Sequence, residues 1–153
     1  MVQEQTSFKV AEVVVSYKSN YNITERPKIN SSQDAYRLLM QHWQLGKIEL
    51  LEEFKVILLN TSNRVLGIVD ISTGGVQGTL ADPKIIFSVA LKTNSSKIIL
   101  AHNHPSSNTN PSEADKKLTQ KLMDGGKLLD IEVCDHLIVT NYNYYSFADD
   151  GMI

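Results

Sequence analysis

The sequence predicts an α/β fold, a single domain whose central mixed β-sheet is flanked by helices. Three observations lead there. Valine- and isoleucine-rich runs of strand length alternate along the chain with stretches of helical spacing, the order that builds a sheet covered by helices. The chain has 153 residues, 42% hydrophobic and 21% charged, which is ordinary for a soluble globular protein and long enough to bury a core. No repeat, low-complexity tract or linker divides it. Residues 1–30 read as an N-terminal strand and connection ahead of a main domain over residues 31–153.

The elements follow in order. FKVAEVVVSYK, from Phe8 to Lys18, is valine-rich and partly alternating, so it predicts a strand. SNYNITERPKIN is a polar connection. Ala35, Leu38, Leu39, His42 and Trp43 recur at helical spacing, with Ser31 or Ser32 as N-cap, Asp34 in the first turn and Gly46 as the stop. ELLEEFKVILLN and RVLGIVDIS predict a hairpin closed by the turn NTSNR. Asp82 and Pro83 open the helix DPKIIFSVALK. SKIILA is a short apolar strand that stops at His102. PSEADKKLTQKLMDGGK is a helix with Leu118, Leu122 and Met123 inward, ended by Gly125 or Gly126. LLDIEV and DHLIVT read as further strands, and NYNYYSF as a turn into a last short one.

Several function classes fall away. A net charge of -2 is not the footprint of a nucleic-acid binder, and Lys116, Lys117 and Lys121 read as a solvated helix face. The lone Cys134 excludes an internal disulfide and fits a reducing compartment. MVQEQTSFKV lacks the pattern of a signal peptide, and no apolar run reaches the length of a membrane span. The expectation is a cytoplasmic protein with no membrane partner and no direct nucleic-acid contact of its own. Gly74, Gly75 and Gly78 make neither a dinucleotide fingerprint nor a phosphate-binding loop, and read as a turn.

ILAHNHPSSNTNPSEAD, from Ile99 to Asp115, carries the chemistry. His102 and His104 stand two apart at a strand end, where residues share a face about 6.6 Å apart at Cα. Pro105 biases His104 toward extended backbone. Both imidazoles can therefore face one metal ion. Residues 105–114 are enough chain to fold the next helix start, with Asp115 in its first turn, back over the strand end. Two nitrogens and one carboxylate oxygen form a three-ligand set with an open fourth position, the pattern of a catalytic zinc. The plainer alternative is that Ser112 and Asp115 only cap a helix and the histidines only decorate a polar loop.

The longer pattern H-x-H-x(7)-S-x(2)-D, filled by His102, His104, Ser112 and Asp115, resembles the JAMM motif of MPN/JAB metalloproteases at every position. ILAHNHPSSNTNPSEAD, EEFKVILLN and DHLIVTNYNYYSFADDG resemble the RadC branch of that superfamily, over about Ser31 to Gly151. The resemblance implies a single JAB/MPN domain of cytidine-deaminase-like fold. It implies zinc held by His102, His104 and Asp115. It also implies an upstream glutamate two residues before an aromatic, the place of Glu52 before Phe54, acting as general base on the zinc-activated water. Strand alternation sends Glu53 the other way. Ser112 takes the place of the serine that donates to the oxyanion. Ser106 reads as a turn cap, His42 as structural, Cys134 as buried and inert. His136 reads as support behind the ligands or as a plain strand residue.

The chain departs from the resemblance at Ser107, where relatives usually carry glycine, and at Pro83-Lys84, where they usually carry Pro-Arg. Longer relatives carry an N-terminal helix-hairpin-helix module, and the thirty or so residues before the matching region here read as strand and loop. Base deamination, known on a related fold, needs a cysteine pair that one cysteine cannot supply. Two functions remain: a zinc-dependent peptidase or isopeptidase acting on a peptide or protein, and a RadC-like protein of DNA metabolism whose metal site is only structural or binding.

Overall fold

The computed structural model describes residues 9–74 and 81–153. Most of the glycine loop, including Gly75 and Gly78, lies outside the described residues, as does Phe8.

Helix α1 spans Ser32–His42 and starts where Ser31 accepts a hydrogen bond from the Asp34 amide. It stops earlier than Gly46, because Trp43 leaves the helical conformation at φ -86°, ψ 135°. That turn buries the indole, sets it over the Lys55 ammonium at 4.8 Å, and leads Ile48 into the core. Strands β1, Glu53–Leu59, and β2, Val65–Thr73, form the expected antiparallel hairpin. Asn63 takes the left-handed conformation at φ 61° in the turn between them, which asparagine tolerates better than most residues. Helix α2, Pro83–Lys92, is capped by Asp82 with proline in its first turn. Strand β3, Lys97–Asn103, runs two residues past Ala101, so His102 sits inside the sheet.

Helix α3 spans Glu113–Leu128 and does not end at its glycines. Both sit inside it for reasons of space. A Cβ on Gly126 would stand 2.3 Å from the Ile131 carbonyl oxygen, and one on Gly125 would stand 2.9 Å from the Phe87 ring. The two strands expected after it are one, β4, Glu132–Val139; the LLD stretch completes the helix and its turn, with Asp130 left-handed at φ 54°. Strand β5, Tyr144–Ser146, closes the sheet.

The valine-rich N-terminal stretch is not a strand over its described residues. From Lys9 to Lys18 it carries no ladder, and Val10, Val13, Val14 and Val15 are exposed. Strand propensity decides nothing without a buried face to pack against. Tyr17 ties it to β2, donating to the Leu66 carbonyl at 2.5 Å.

The five strands lie in the order β2-β1-β3-β4-β5. Only β3 and β4 run parallel; the other pairs are antiparallel. Alternation splits the core in two. Ile57, Leu59, Ile99, Ala101, Leu137 and Val139 face α1, while Phe54, Val56, Leu58, Ile98 and Leu100 face α2 and α3. His102 shares the second face. Asn103 points to the first.

The glycines of α3 should respond differently to a methyl group. Gly126→Ala meets backbone that cannot swing aside, so it should destabilise by about 2 kcal/mol despite the helix propensity gained. Gly125→Ala meets the far end of a side chain and should stay within about 1 kcal/mol of the parent. Urea unfolding of the two variants checks this.

Candidate metal centre

The β1–β3 register sets Phe54 opposite His102. Glu52, one step before β1, therefore comes to the end of β3. Its Oε1 lies 3.9 Å from His102 Nε2. Glu53 turns away, with its carboxylate 3.4 Å from Lys55 Nζ. The loop after β3 brings Asp115 back to the histidines: its Oδ1 is 3.3 Å from His102 Nε2 and its Oδ2 3.4 Å from His104 Nε2. Among the described residues, one donor atom each of Glu52, His102 and His104 lie within 4.8 Å of one another. Asp115 reaches the same two nitrogens from the helix side.

The loop geometry follows from local bonds. Ser107 donates to the His104 carbonyl and sits at φ 65°, the conformation that makes glycine the easier residue at this position. Ser106 Oγ accepts from the Asn108 amide at 3.3 Å and caps that turn. Ser112 and Asp115 form a reciprocal capping box: Ser112 Oγ accepts from the Asp115 amide at 3.0 Å, and Asp115 Oδ2 accepts from the Ser112 amide at 2.8 Å. The box uses a lone pair of the Ser112 hydroxyl and leaves its proton free to donate.

Proton positions can be deduced from the bonds behind the rings. Thr119 donates its hydroxyl proton to the Asp115 carbonyl at 2.7 Å, so its oxygen can only accept from His136 Nδ1 at 2.6 Å. Burial, with His102 nearby, pushes the His136 imidazole well below its ordinary value, so it is neutral. Its Nε2 must then accept from His102 Nδ1 at 2.8 Å. His104 Nδ1 donates to the Asn108 carbonyl at 2.6 Å. Each ring thus has a proton on the far side. The two Nε2 atoms face each other at 3.0 Å.

That contact is repulsive unless a proton or a metal ion lies between, and Asp115 beside both rings favours either. The separations of 3.0, 3.3 and 3.4 Å, the last two to different oxygens of Asp115, bring the donors close enough together to share one metal ion. Two neutral imidazoles and two carboxylates suit a divalent ion. Burial works against the Asp115 charge, but hydrogen bonding to His102 and His104 outweighs it and holds the carboxyl well below the usual range. The same carboxylate raises His104, against its burial.

Among the other sequence candidates, His136 stands directly behind His102, fully buried, its ring stacked on Phe147 at 4.8 Å. His42 is exposed and bonds the Leu38 carbonyl, away from this cluster. Cys134 is half-buried rather than buried, and burial pushes its thiol up to about 11. Sequence reasoning missed Thr119 and Asn103. A threonine four residues after Asp115 shares its helix face, and an asparagine inside a buried strand demands a polar partner; both were available signals.

The family model of the RadC-like JAB domain matches residues 29–152. Similar chains include a UPF0758 protein of Flavobacterium johnsoniae, 41% identical over 131 residues, covering 86% of this chain and 56% of the relative. One of Desulfitobacterium hafniense is 43% identical over 129 residues, covering 84% and 55%. Another, of Clostridium kluyveri, is 40% identical over 144 residues, covering 94% and 61%. The chain therefore spans little more than half the length of these relatives.

Thr119→Val tests the chain of bonds behind His102. It strands His136 Nδ1 in a dry site, so unfolding should cost about 1–3 kcal/mol less than in the parent. Divalent-metal affinity should drop about 10–100-fold, read by competition with a chromogenic chelator. Thr119→Ser should restore most of both.

Proposed function

The chain belongs to the RadC-like JAB domain family, and from that premise we propose that it is a zinc-dependent peptidase or isopeptidase of the JAMM type. One observation carries the reading. Two imidazole Nε2 atoms and the carboxylate of Asp115 come together, and a further carboxylate stands just beyond, its oxygen 3.9 Å from His102. His102, His104 and Asp115 would hold the zinc. When bound, zinc supplies Lewis acidity toward a carbonyl and makes water a nucleophile near neutral pH.

The chain's own groups do the rest. Glu52 accepts the proton of the attacking water and returns it to the leaving amine. It suits the task because it stands farther from His102 Nε2, at 3.9 Å, than Asp115 does, at 3.3 Å. The Ser112 hydroxyl, with its proton uncommitted by the capping box, donates to the oxygen that gains charge in the tetrahedral intermediate. The substrate class is a peptide or protein. No described helix is long and apolar enough to cross a membrane, and we place the protein in the cytoplasm on the strength of its single cysteine. The net charge of -2 argues against duplex DNA as a direct ligand of this chain.

Metal analysis and paired carboxylate variants test the proposal. Protein purified without chelator should hold about one zinc per chain, and His104→Ala should lose it. Asp115→Asn keeps a capping oxygen but should weaken zinc retention. Glu52→Gln should retain zinc and lose about 10²–10⁴-fold in hydrolysis of a peptide and isopeptide panel. Full zinc occupancy in the double variant His102→Ala, His104→Ala would sink the ligand assignment. Zinc-loaded parent protein that cleaves nothing in the panel would favour the DNA-metabolism reading, in which the site only binds or braces.

The same charge argument predicts the behaviour with DNA. Binding of the isolated chain to duplex DNA should be weak and should fall steeply with salt. Tight binding at physiological salt, in a fluorescence anisotropy titration, is the contrary result.

A further inference from the structure

We infer that Asn103, the residue between the two histidines, is the positioning residue for Glu52. The inference rests on the reading of Glu52 as the base. Asn103 is fully buried and lies on the sheet face opposite His102. Its side chain makes three hydrogen bonds, all to backbone on one stretch of chain. Oδ1 accepts from the Glu53 amide at 2.7 Å, and Nδ2 donates to the Ile48 carbonyl at 2.6 Å and the Leu51 carbonyl at 2.8 Å. The amide orientation is unambiguous, since carbonyls can only accept and the Glu53 N–H can only donate.

These bonds clamp both peptide groups that flank Glu52. The Leu51 carbonyl belongs to the peptide before it, the Glu53 amide to the peptide after it. The Glu52 carbonyl is held from the other side by the Gly74 amide at 2.8 Å. Glu52 needs such a clamp because the regular ladder ends short of it. The last β1–β3 pair is Phe54 with His102. Beyond that pair the strands no longer share backbone bonds, and the Asn103 side chain bridges the gap in their place. The consequence is geometric. His102 and His104 leave β3 on one face and Asn103 on the other, so one triplet holds both the imidazoles and the backbone of the residue whose carboxylate faces them. The Glu52 main chain then cannot shift relative to the histidines without breaking bonds to the residue between them.

Amide hydrogen exchange by NMR on the zinc-loaded full chain tests this with Asn103→Ala and Asn103→Asp. In Asn103→Ala the Glu53 amide should exchange about 10-fold faster or more, while the Leu100 and Ala101 amides of β3 keep parental rates. Asn103→Asp retains an acceptor for Glu53 but sets a carboxylate oxygen against the Ile48 and Leu51 carbonyls. It should speed exchange at the Leu51 and Gly74 amides, and it decides the matter if Asn103→Ala does not fold. Zinc content should stay at the parental level in both. On any substrate the parent cleaves, kcat should fall by about 10²-fold with KM unmoved, the expected effect of a misplaced base. Parental exchange at Glu53, Leu51 and Gly74 in the folded variants overturns the inference, as does a rise spread evenly through β3. A parent that cleaves nothing counts against the peptidase reading alone, because the exchange measurements judge Asn103 without turnover.

Discussion

The contact between His102 Nε2 and His104 Nε2, 3.0 Å apart, is the constraint on which the rest of this structure turns. Without a proton or an ion between them, the two nitrogens at that distance repel, and a rotation of either ring would separate them unless something held both. Here the holding is done from behind, by the Asn108 carbonyl for one ring and by the His136–Thr119 pair for the other. Neither set of bonds has another evident purpose. A buried neutral histidine between a threonine and a second histidine adds little to a core that aliphatic side chains already fill. Its value lies in fixing which nitrogen of His102 carries the proton, and so which nitrogen faces the carboxylates.

The topology makes this arrangement possible. β3 lies at the centre of the sheet, antiparallel to β1 and parallel to β4. The antiparallel partner begins where β3 ends, which delivers Glu52 to the C-terminal end of the strand. The parallel partner runs alongside and delivers His136 on the same face. α3 returns over that end with Asp115 in its first turn. Each group thus arrives from a different element, and each is anchored within the sheet or at a helix cap. Preorganisation of this sort suits groups that must bind an ion or move a proton without first rearranging.

Much of this could be read from the chain. The hairpin, the proline-led helix, the α/β class and the motif residues on one strand end all follow from patterns that local physics enforces, such as period-2 alternation and side-chain caps. The failures have particular causes. Val10 to Val15 look like a strand, but propensity without a partner face leaves them exposed. Gly125 and Gly126 look like a helix stop, but the constraint on them is close approach to Phe87 and Ile131, which only tertiary structure displays. Gly46 looks like a stop, but the helix ends where Trp43 turns toward the core. At the site, the groups facing one another were legible as a motif. Of the groups behind them, His136 was legible as possible support, while for Thr119 and Asn103 the sequence signals only a buried position, because their partners, at His136 and at Ile48 to Glu53, lie far away in the chain.

The dual use of Asp115 shows how closely fold and site are joined. One of its oxygens caps the Ser112 amide and stands near His104, while the other stands near His102. A carboxylate in the first turn is favoured by the helix macrodipole, which stabilises its charged form. Burial opposes that charge, but the imidazoles of His102 and His104 outweigh it and favour the ionised form. The position best suited to starting α3 is therefore also one where a carboxylate stays deprotonated inside a half-buried site. Ser112 shows the complementary economy, since capping takes a lone pair of its hydroxyl and leaves the proton. The helix-cap reading and the metal-site reading of Ser112 and Asp115 are thus not rivals. The cap fixes the backbone that aims the carboxylate, and its hydrogen bonds leave both groups the capacity their chemistry requires.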